Sequence, residues 1–304
     1  MSGRCIRAAL TVALASLCLP AASAFAQIPD IGGIINAAKG AKKLGDSFRK
    51  ISDEEEVKIG GDLAGIVLGA APLANDPAGQ HYVSRLGQWL AMHSDRPTLP
   101  WKFGIIDTDD FNAFSTPGGY VLISRGLLDD MHNEAELAGV LSHEIAHVVR
   151  KHHLQALQTS LRDSAVGDFK DYIGGPGGLA GQFASALVNA GKDMFVRGLD
   201  RNDEYEADRM AVVIAARAGY SPYGLGGVLQ TLSAVPESKG FALMYKTHPL
   251  PVDRLERLDI AMGTRLDGYE GLVDDLPSFV ALRAPPPPPP PALAAPVKKG
   301  KRRQ

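Results

Sequence analysis

The apolar positions of the chain repeat with a helical period over most of its length and alternate like β-strands only between about residues 101 and 124. Within that stretch, the sequence Thr-Pro-Gly-Gly at 116–119 predicts a tight turn between two short strands. Because helices and strands do not alternate along the chain, we predict an α+β fold, mainly helical with one small β-sheet. The predicted helices cover about 52–68, 77–93, 129–150, 203–218, 223–233 and 250–262, and the predicted strands cover 101–106, 112–115 and 120–124.

The first 26 residues have the pattern of a signal peptide. Two arginines, Arg4 and Arg7, precede an apolar run of about a dozen residues, which is too short to span a bilayer. Small residues at Ala24 and Ala26 then mark a cleavage site. We therefore expect a soluble periplasmic or secreted protein rather than a lipoprotein. The predicted parts are a signal peptide at 1–26, a lead-in segment at 27–51, one folded domain at 52–283 and a disordered tail at 284–304.

The predicted tail combines seven consecutive prolines with five basic residues close to its end. The prolines predict a stiff polyproline rod, and the basic end is either solvated or a tether to an anionic surface of the cell envelope. Since 7 of the 32 Lys and Arg residues lie in the signal peptide and the tail, the rest of the chain is acidic. This acidity argues against nucleic acid as a partner of the domain.

The candidate chemistry lies in the segment His-Glu-Ile-Ala-His at 143–147. His143 and His147 are one helical turn apart, so both imidazoles can reach one metal ion. Zinc lowers the pKa of its bound water to about 7, and Glu144 beside it can take the proton as a general base. The segment therefore predicts a hydrolase with one Zn²⁺ per chain.

A zinc hydrolase needs a third protein ligand, and the sequence offers two candidates. His153 has the spacing used by metzincin-type proteases, but Arg150 stands where the chain would need a glycine to leave the helix. A continuing helix would turn His152 and His153 away from the metal, to the surface or to a layer behind the ligands. Glu204 is the second candidate. Asp208 shares its helix face and could orient a ligand histidine.

Four blocks of the sequence occur in a recognisable order: 112–114 with 117–120, then 133–147, then 204–208, then 247–249 followed by Arg254. Together they resemble the zinc metallopeptidase family of HtpX and the CAAX prenyl endopeptidase. The resemblance implies a gluzincin-type metalloprotease domain with Glu204 as third ligand and Asp208 behind the ligands. No spanning segment follows the signal peptide, so the chain is more similar to the soluble periplasmic branch, which is linked to quality control of outer-membrane proteins.

The resemblance also implies roles for His248 and for the strand at 112–115. In relatives the equivalent histidine faces the zinc and either stabilises the oxyanion or caps the metal as an inhibitory ligand. Asn112, Ala113 and Phe114 would lie on the edge strand, where an extended peptide pairs through backbone hydrogen bonds.

The sequence therefore predicts a zinc-dependent endopeptidase for unfolded or misassembled exported proteins, among them outer-membrane proteins. One alternative is a periplasmic chaperone or assembly factor with little proteolysis. The other is a metzincin-type protease that uses His153, which requires the helix to break at Arg150.

Overall fold

The computed structural model describes residues 51–168, 198–234, 248, 251–269 and 271–283. The predicted signal peptide, nearly all of the lead-in segment, the tail, and a loop predicted at 174–178 lie outside these residues. The domain boundaries at 52 and 283 therefore stay predictions.

The described elements are mainly helices with one three-stranded sheet, which confirms the predicted α+β class. No helix in these parts of the chain has both the length and the apolar character that crossing a bilayer requires. In chain order the elements are α1 (Asp53–Ala70), α2 (Pro77–Met92), β1 (Lys102–Ile106), β2 (Ala113–Thr116), β3 (Tyr120–Ser124), α3 (Arg125–Asp130), α4 (Glu134–Arg150), α5 (His152–Asp168), α6 (Arg201–Arg217), α7 (Gly224–Ala234), α8 (Pro251–Met262), a 3-10 turn (Asp267–Tyr269) and α9 (Pro277–Arg283).

Several helices begin directly after a residue whose side chain caps the helix N-terminus. The Ser52 side chain accepts a hydrogen bond from the backbone of Glu55, and the Glu55 side chain accepts one from the backbone of Ser52. This reciprocal pair of hydrogen bonds is a capping box. The α2 helix begins after an Asp76 cap, and α6 begins after an Asp200 cap. Starts of this kind depend only on neighbouring residues, so they follow the sequence closely.

The single helix predicted over 129–150 is wrong, because the structure divides this segment into α3 and α4. The chain leaves α3 at Met131, whose side chain is buried in the core. Asn133 then caps α4 by accepting a hydrogen bond from the backbone N–H of Glu136 at 2.9 Å. The buried apolar side chain and the new cap together favour two helices over one.

The sheet has the order β1-β3-β2, with β3 parallel to β1 and antiparallel to β2. The outer side of β1 is covered, since the Gln80 amide both donates to the carbonyl of Ile105 (2.8 Å) and accepts from its N–H (2.9 Å). The backbone N–H of Ala74 reaches the same carbonyl. In the described part of the chain no strand pairs with the other side of β2. The open edge of the sheet is therefore β2.

The α4 helix is the centre of the core, with residues 134–148 all buried. It packs against α6, α7, α2 and the sheet. Two glycines allow the close approach of α7: a Cβ on Gly139 would come within 2.5 Å of the Leu225 nitrogen, and one on Gly224 within 2.0 Å of the Ala135 oxygen. This packing holds α4 between the sheet and α6, the two elements that also carry candidate site residues.

Candidate metal centre

The two histidines of the predicted zinc motif lie in the buried second half of α4. His143 and His147 turn their Nε2 atoms toward each other at 2.9 Å. Their rings meet edge to face, with centroids 4.5 Å apart. One helical turn of separation thus directs both ring nitrogens to a single point, as the spacing predicts.

Glu204 reaches this point from the first turn of α6. Its two carboxylate oxygens lie 3.5 Å from the Nε2 of His143 and 3.5 Å from the Nε2 of His147. The side chain is almost fully buried, at 1% exposure. The structure therefore brings the three predicted ligands together.

His248 completes a group of four side chains. Its Nδ1 lies 3.0 Å and 3.1 Å from the two carboxylate oxygens of Glu204, and the side chain is buried. One ligand atom from each of His143, His147, Glu204 and His248 lies within 4.8 Å of the others. His248 thus lies within the same group as the predicted ligands.

The donors of this group fit zinc. A tetrahedral zinc site with bonds of about 2.0–2.1 Å separates neighbouring ligand atoms by about 3.3–3.4 Å. The observed separations among His143, His147 and Glu204 are 2.9 Å to 3.5 Å. Two imidazoles and one carboxylate are also a common donor set for catalytic zinc, which keeps one position open for water or substrate.

Glu144, the predicted general base, lies beside the group and is itself buried. Its Oε2 accepts a hydrogen bond from the hydroxyl of Ser115 at 2.8 Å. Its Oε1 lies 3.6 Å from the Nε2 of His248. The carboxylate therefore has one oxygen engaged by the sheet and the other directed toward the histidine cluster.

Asp208 lies behind His143, as expected for a carboxylate one turn after Glu204. Its Oδ1 is 2.9 Å from the Nδ1 of His143, the ring nitrogen that faces away from the ligand group. Such a contact fixes the orientation of a ligand imidazole and raises its basicity.

The two histidines have opposite pKa shifts. Burial and Arg254 act to lower the pKa of His143, but hydrogen bonds to Asp208 and Glu204 outweigh them and raise it to about 9. Burial, assisted by the neighbouring His143, holds the pKa of His147 well below its usual value. Without metal, His143 is therefore the hydrogen-bond donor of the Nε2 pair and His147 the acceptor.

A family model described as peptidase family M48 matches residues 77–261, which is more than half of the chain. The chain belongs to peptidase family M48. The matched region contains every residue of the four-membered group and Glu144. The predicted family and the predicted class of metallopeptidase are confirmed.

Several curated M48 proteins are similar to the chain. The beta-barrel assembly-enhancing protease of Escherichia coli strain K12 is 30% identical over 220 residues, covering 67% of this chain and 43% of the relative. The protein of the same name from Yersinia pestis is 31% identical over 243 residues, covering 75% and 46%. Metalloprotease LoiP of Escherichia coli is 27% identical over 184 residues, covering 60% and 71%. The chain thus spans less than half the length of the first two relatives.

The M48 site of this chain includes Arg254, a residue to which the sequence assigned no role. Its Nε donates to Asp208 at 2.9 Å and its Nη2 donates to the same carboxylate at 2.6 Å, while Nη1 lies 3.3 Å from Glu204. Burial opposes its charge, but Asp208 and Glu204 raise its pKa above the usual value. The sequence contained one signal for this role. Arg254 precedes Leu258 by four residues, so the two side chains share one helix face, and that face of α8 is buried.

The prediction that the helix continues past Arg150 is wrong. The α4 helix ends there because Lys151 adopts a left-handed conformation with φ of 62°. The Lys151 ammonium lies 2.8 Å from the fully buried carboxylate of Glu56 on α1, which also pairs with Arg96 at 2.8 Å. These partners are distant in sequence, so the local pattern gave no sign of the break.

The break returns the next two residues to the site, so of the two predicted locations for His152 and His153 the surface is wrong, and His152 lies in the layer behind the candidate ligands. The Nδ1 of His152 lies 3.0 Å from the Nδ1 of His147, and its Nε2 lies 3.4 Å from Glu206. The Nδ1 of His153 lies 3.4 Å from the Ser115 hydroxyl. The helix break that the metzincin-type alternative requires is therefore present. The group of four nevertheless contains Glu204 and His248 and not His153. The geometry therefore favours Glu204.

The predicted substrate strand lies at the open edge of the sheet. Ala113 and Phe114 belong to β2, and Asn112 directly precedes it. The backbone N–H of Ser124 on β3 donates to the carbonyl of Asn112 at 2.9 Å. Because the backbone groups of an antiparallel strand alternate in direction, those of Ala113 and Ser115 face away from β3. Ser115 is the residue of this strand that sequence reasoning missed.

Proposed function

We propose that this M48 chain is a zinc-dependent endopeptidase that hydrolyses unfolded or misassembled exported polypeptides. The observation that carries the proposal is a single arrangement: a buried group of zinc donors lies beside Glu144, and Glu144 is hydrogen-bonded to the open edge of the sheet. A peptide added to that edge would pass directly over the candidate base.

His143, His147 and Glu204 would hold the zinc. When bound, zinc supplies a Lewis acid that polarises the scissile carbonyl and acidifies water. Asp208 would hold His143 in its ligand orientation. Replacing Glu204 by Ala is expected to remove bound zinc, whereas His153→Leu is expected to retain it. The reverse result would favour the metzincin-type alternative.

The edge strand would bind the substrate. Backbone groups of Ala113 and Ser115 face the open side of β2, where an extended peptide can form hydrogen bonds as an additional strand. This mode depends on the extended conformation more than on side chains. Segments of folded proteins seldom offer an extended backbone with its hydrogen bonds unmade, so unfolded and misassembled chains are the favoured substrates.

Glu144 would act as the general base. Its Oε2 is engaged by Ser115, which leaves Oε1 to take a proton from the attacking water. The same carboxyl then gives this proton to the amine of the leaving peptide. Water is thereby added across the peptide bond, and Glu144 returns to its starting state.

Two roles for His248 follow from its position between Glu204 and Glu144. It either donates a hydrogen bond to the developing oxyanion or caps the metal position and restricts access to it. In His248→Ala, raised activity would support the capping role. Collapsed activity with unchanged zinc content would support the oxyanion role.

The location and the substrate class are supported by the sequence ends and by relatives. The signal-peptide pattern at 1–26 supports export. Two of the relatives carry the name beta-barrel assembly-enhancing protease, which supports outer-membrane proteins as substrates of this chain. The basic tail would then contact an anionic surface of the envelope. N-terminal sequencing of the protein recovered from the periplasm tests the export step, with Gln27 expected as the first residue.

Digestion of casein tests the enzymatic proposal. Wild-type protein is expected to cut casein, and Glu144→Gln is expected to lose at least about 100-fold of this activity while retaining zinc. If wild type and Glu144→Gln both fail to cut but both suppress aggregation of an unfolded outer-membrane protein, the chaperone or assembly-factor alternative is supported instead. Expression of Glu144→Gln in cells, followed by identification of bound chains, would identify the substrates.

A further inference from the structure

Ser115 occupies an unusual position, because one residue belongs to both the open edge of the sheet and the surroundings of the candidate base. Its backbone groups face the outer side of β2. Its side chain is fully buried and projects from the face of the sheet toward Glu144 on α4. A peptide bound at the edge and the carboxylate of Glu144 therefore meet at the same residue.

The hydrogen bonds of the Ser115 hydroxyl have a fixed direction. Its oxygen lies 2.8 Å from the Oε2 of Glu144, and an ionised carboxylate only accepts, so the serine donates. The hydroxyl oxygen can then accept one bond in return. The nearest candidate donor is the Nδ1 of His153 at 3.4 Å.

His153 is suited to donate this bond. The side chain is buried, and the atom that it turns toward the Ser115 hydroxyl is a ring nitrogen, which can carry an N–H. Since the proton of Ser115 is committed to Glu144, the N–H of His153 has to lie on Nδ1 for the contact to be a hydrogen bond. The result is a directed chain from His153 through Ser115 to Glu144.

The two oxygens of Glu144 are thereby made different. Oε2 is fixed by the serine, and Oε1 lies 3.6 Å from His248 on the side of the ligand group. Without the serine hydroxyl, the carboxylate could rotate about its last torsion, which is broad for glutamate. Rotation would move Oε1 away from the position where it has to meet water.

We propose that Ser115 is a positioning residue for Glu144, linking the peptide-binding edge to the general base, and that His153 fixes the Ser115 hydroxyl. The inference rests on the proposed endopeptidase function. It assigns a role to a strand residue and a histidine that bind neither the metal nor the attacking water.

Steady-state kinetics on a short fluorogenic peptide tests the role of Ser115. In Ser115→Ala, kcat is expected to fall about 10-fold, because the base keeps its chemistry but loses its orientation. KM is expected to stay within about twofold, because the backbone of β2 is unchanged. Zinc content and thermal unfolding should match those of the wild type. Ser115→Thr keeps a hydroxyl at this strand position and is expected to restore kcat to within about twofold.

His153 is tested by a double-mutant cycle. His153→Leu alone is expected to lower kcat about threefold, and His153→Asn, whose amide can still donate, to lower it less. If the histidine acts through the serine, Ser115→Ala combined with His153→Leu should be no slower than Ser115→Ala alone. A fully additive loss of about 30-fold would remove His153 from the inference.

The results separate this inference from the proposed function. If the wild type cuts the peptide, Glu144→Gln does not, and Ser115→Ala retains its kcat, the positioning role is wrong and the endopeptidase stands. The role is also wrong if Ser115→Ala raises KM alone, or if it loses zinc and Ser115→Thr does not restore activity. If the wild type cuts neither casein nor the peptide, the proposed function itself fails.

Discussion

His143 and His147 lie one turn apart on α4 and direct the same ring nitrogen to the ligand group, but their other nitrogens have different partners. The Nδ1 of His143 lies 2.9 Å from the carboxylate of Asp208, which is held by Arg254. The Nδ1 of His147 lies 3.0 Å from a second imidazole, that of His152. One candidate ligand is therefore supported by a buried ion pair and the other by a second imidazole.

Supporting two similar candidate ligands in different ways limits the charge that the buried site has to hold. A carboxylate behind an imidazole makes the ring a stronger donor to metal, and it also adds a negative charge. Glu144, Glu204 and Asp208 already place three carboxylates in the site, with Arg254 as the compensating cation. His152 can orient His147 through the contact between their Nδ1 atoms, without a fourth buried carboxylate. We therefore expect zinc affinity to depend more on the support of His143 than on that of His147.

The largest effect is expected from Arg254→Met, which removes the cation behind His143. Asp208 and Glu204 would remain buried without their partner, which costs about 3–5 kcal/mol of unfolding free energy in the zinc-free protein. Zinc should restore part of this loss, because it returns a positive charge to Glu204. Urea unfolding with and without zinc measures both effects.

The control for this variant is Arg217→Met, which breaks an exposed pair with Asp95. It is expected to change the unfolding free energy by less than about 1 kcal/mol. If the two variants lose a similar amount of unfolding free energy, the buried ion pair behind His143 stabilises the protein no more than an exposed pair does.

Asp208→Asn is expected to have the next largest effect, now on zinc affinity. The side chain keeps its shape but loses the charge that strengthens His143, so the zinc dissociation constant should rise about 100-fold. Competition with a chromophoric chelator measures it. Asp95→Asn serves as the matched surface control. A change of less than about threefold would mean that the carboxylate does not strengthen His143.

A smaller effect is expected for His152→Leu, which leaves the Nδ1 of His147 without its partner. We expect zinc to bind about 10-fold more weakly, because the His147 ring loses the contact that orients it. His152→Asn places an acceptor oxygen near the position of the lost Nδ1 and should recover most of the affinity. Replacing the exposed His81 by Asn is the control. If His152→Leu weakens binding as much as Asp208→Asn, the expected difference between the two supports is wrong.

The residues behind His143 and those behind His147 also differ in how far the sequence could predict them. His143 and His147 share one helix, and so do Glu204 and Asp208, so a spacing of four residues placed each pair on one face. Even the missed start of α4 had a local signal, because Asn133 with Glu136 three residues later is an N-cap pattern.

The support of His147 could not be predicted in this way. His152 reaches the site only because Lys151 takes a left-handed conformation. The side chain of Lys151 pairs with Glu56, a residue nearly a hundred positions earlier in the chain. Arg254 meets Asp208 only after α8 packs beside α6. Local periodicity carries no information on such contacts, so the candidate ligands were predictable and the residues that support them were not.

The smallest effect is expected for Glu206→Gln, at the outer end of the support for His147. The Nε2 of His152 lies 3.4 Å from Glu206 and 3.6 Å from Asp203, so one carboxylate can replace the other. Both are partly exposed, which weakens each interaction. Zinc affinity should fall by no more than about twofold in Glu206→Gln, and somewhat more when Asp203→Asn is added. If Glu206→Gln alone weakens zinc binding as much as His152→Leu does, then His147 depends on a carboxylate after all. The two histidines would then both be supported by a carboxylate, directly for His143 and through His152 for His147.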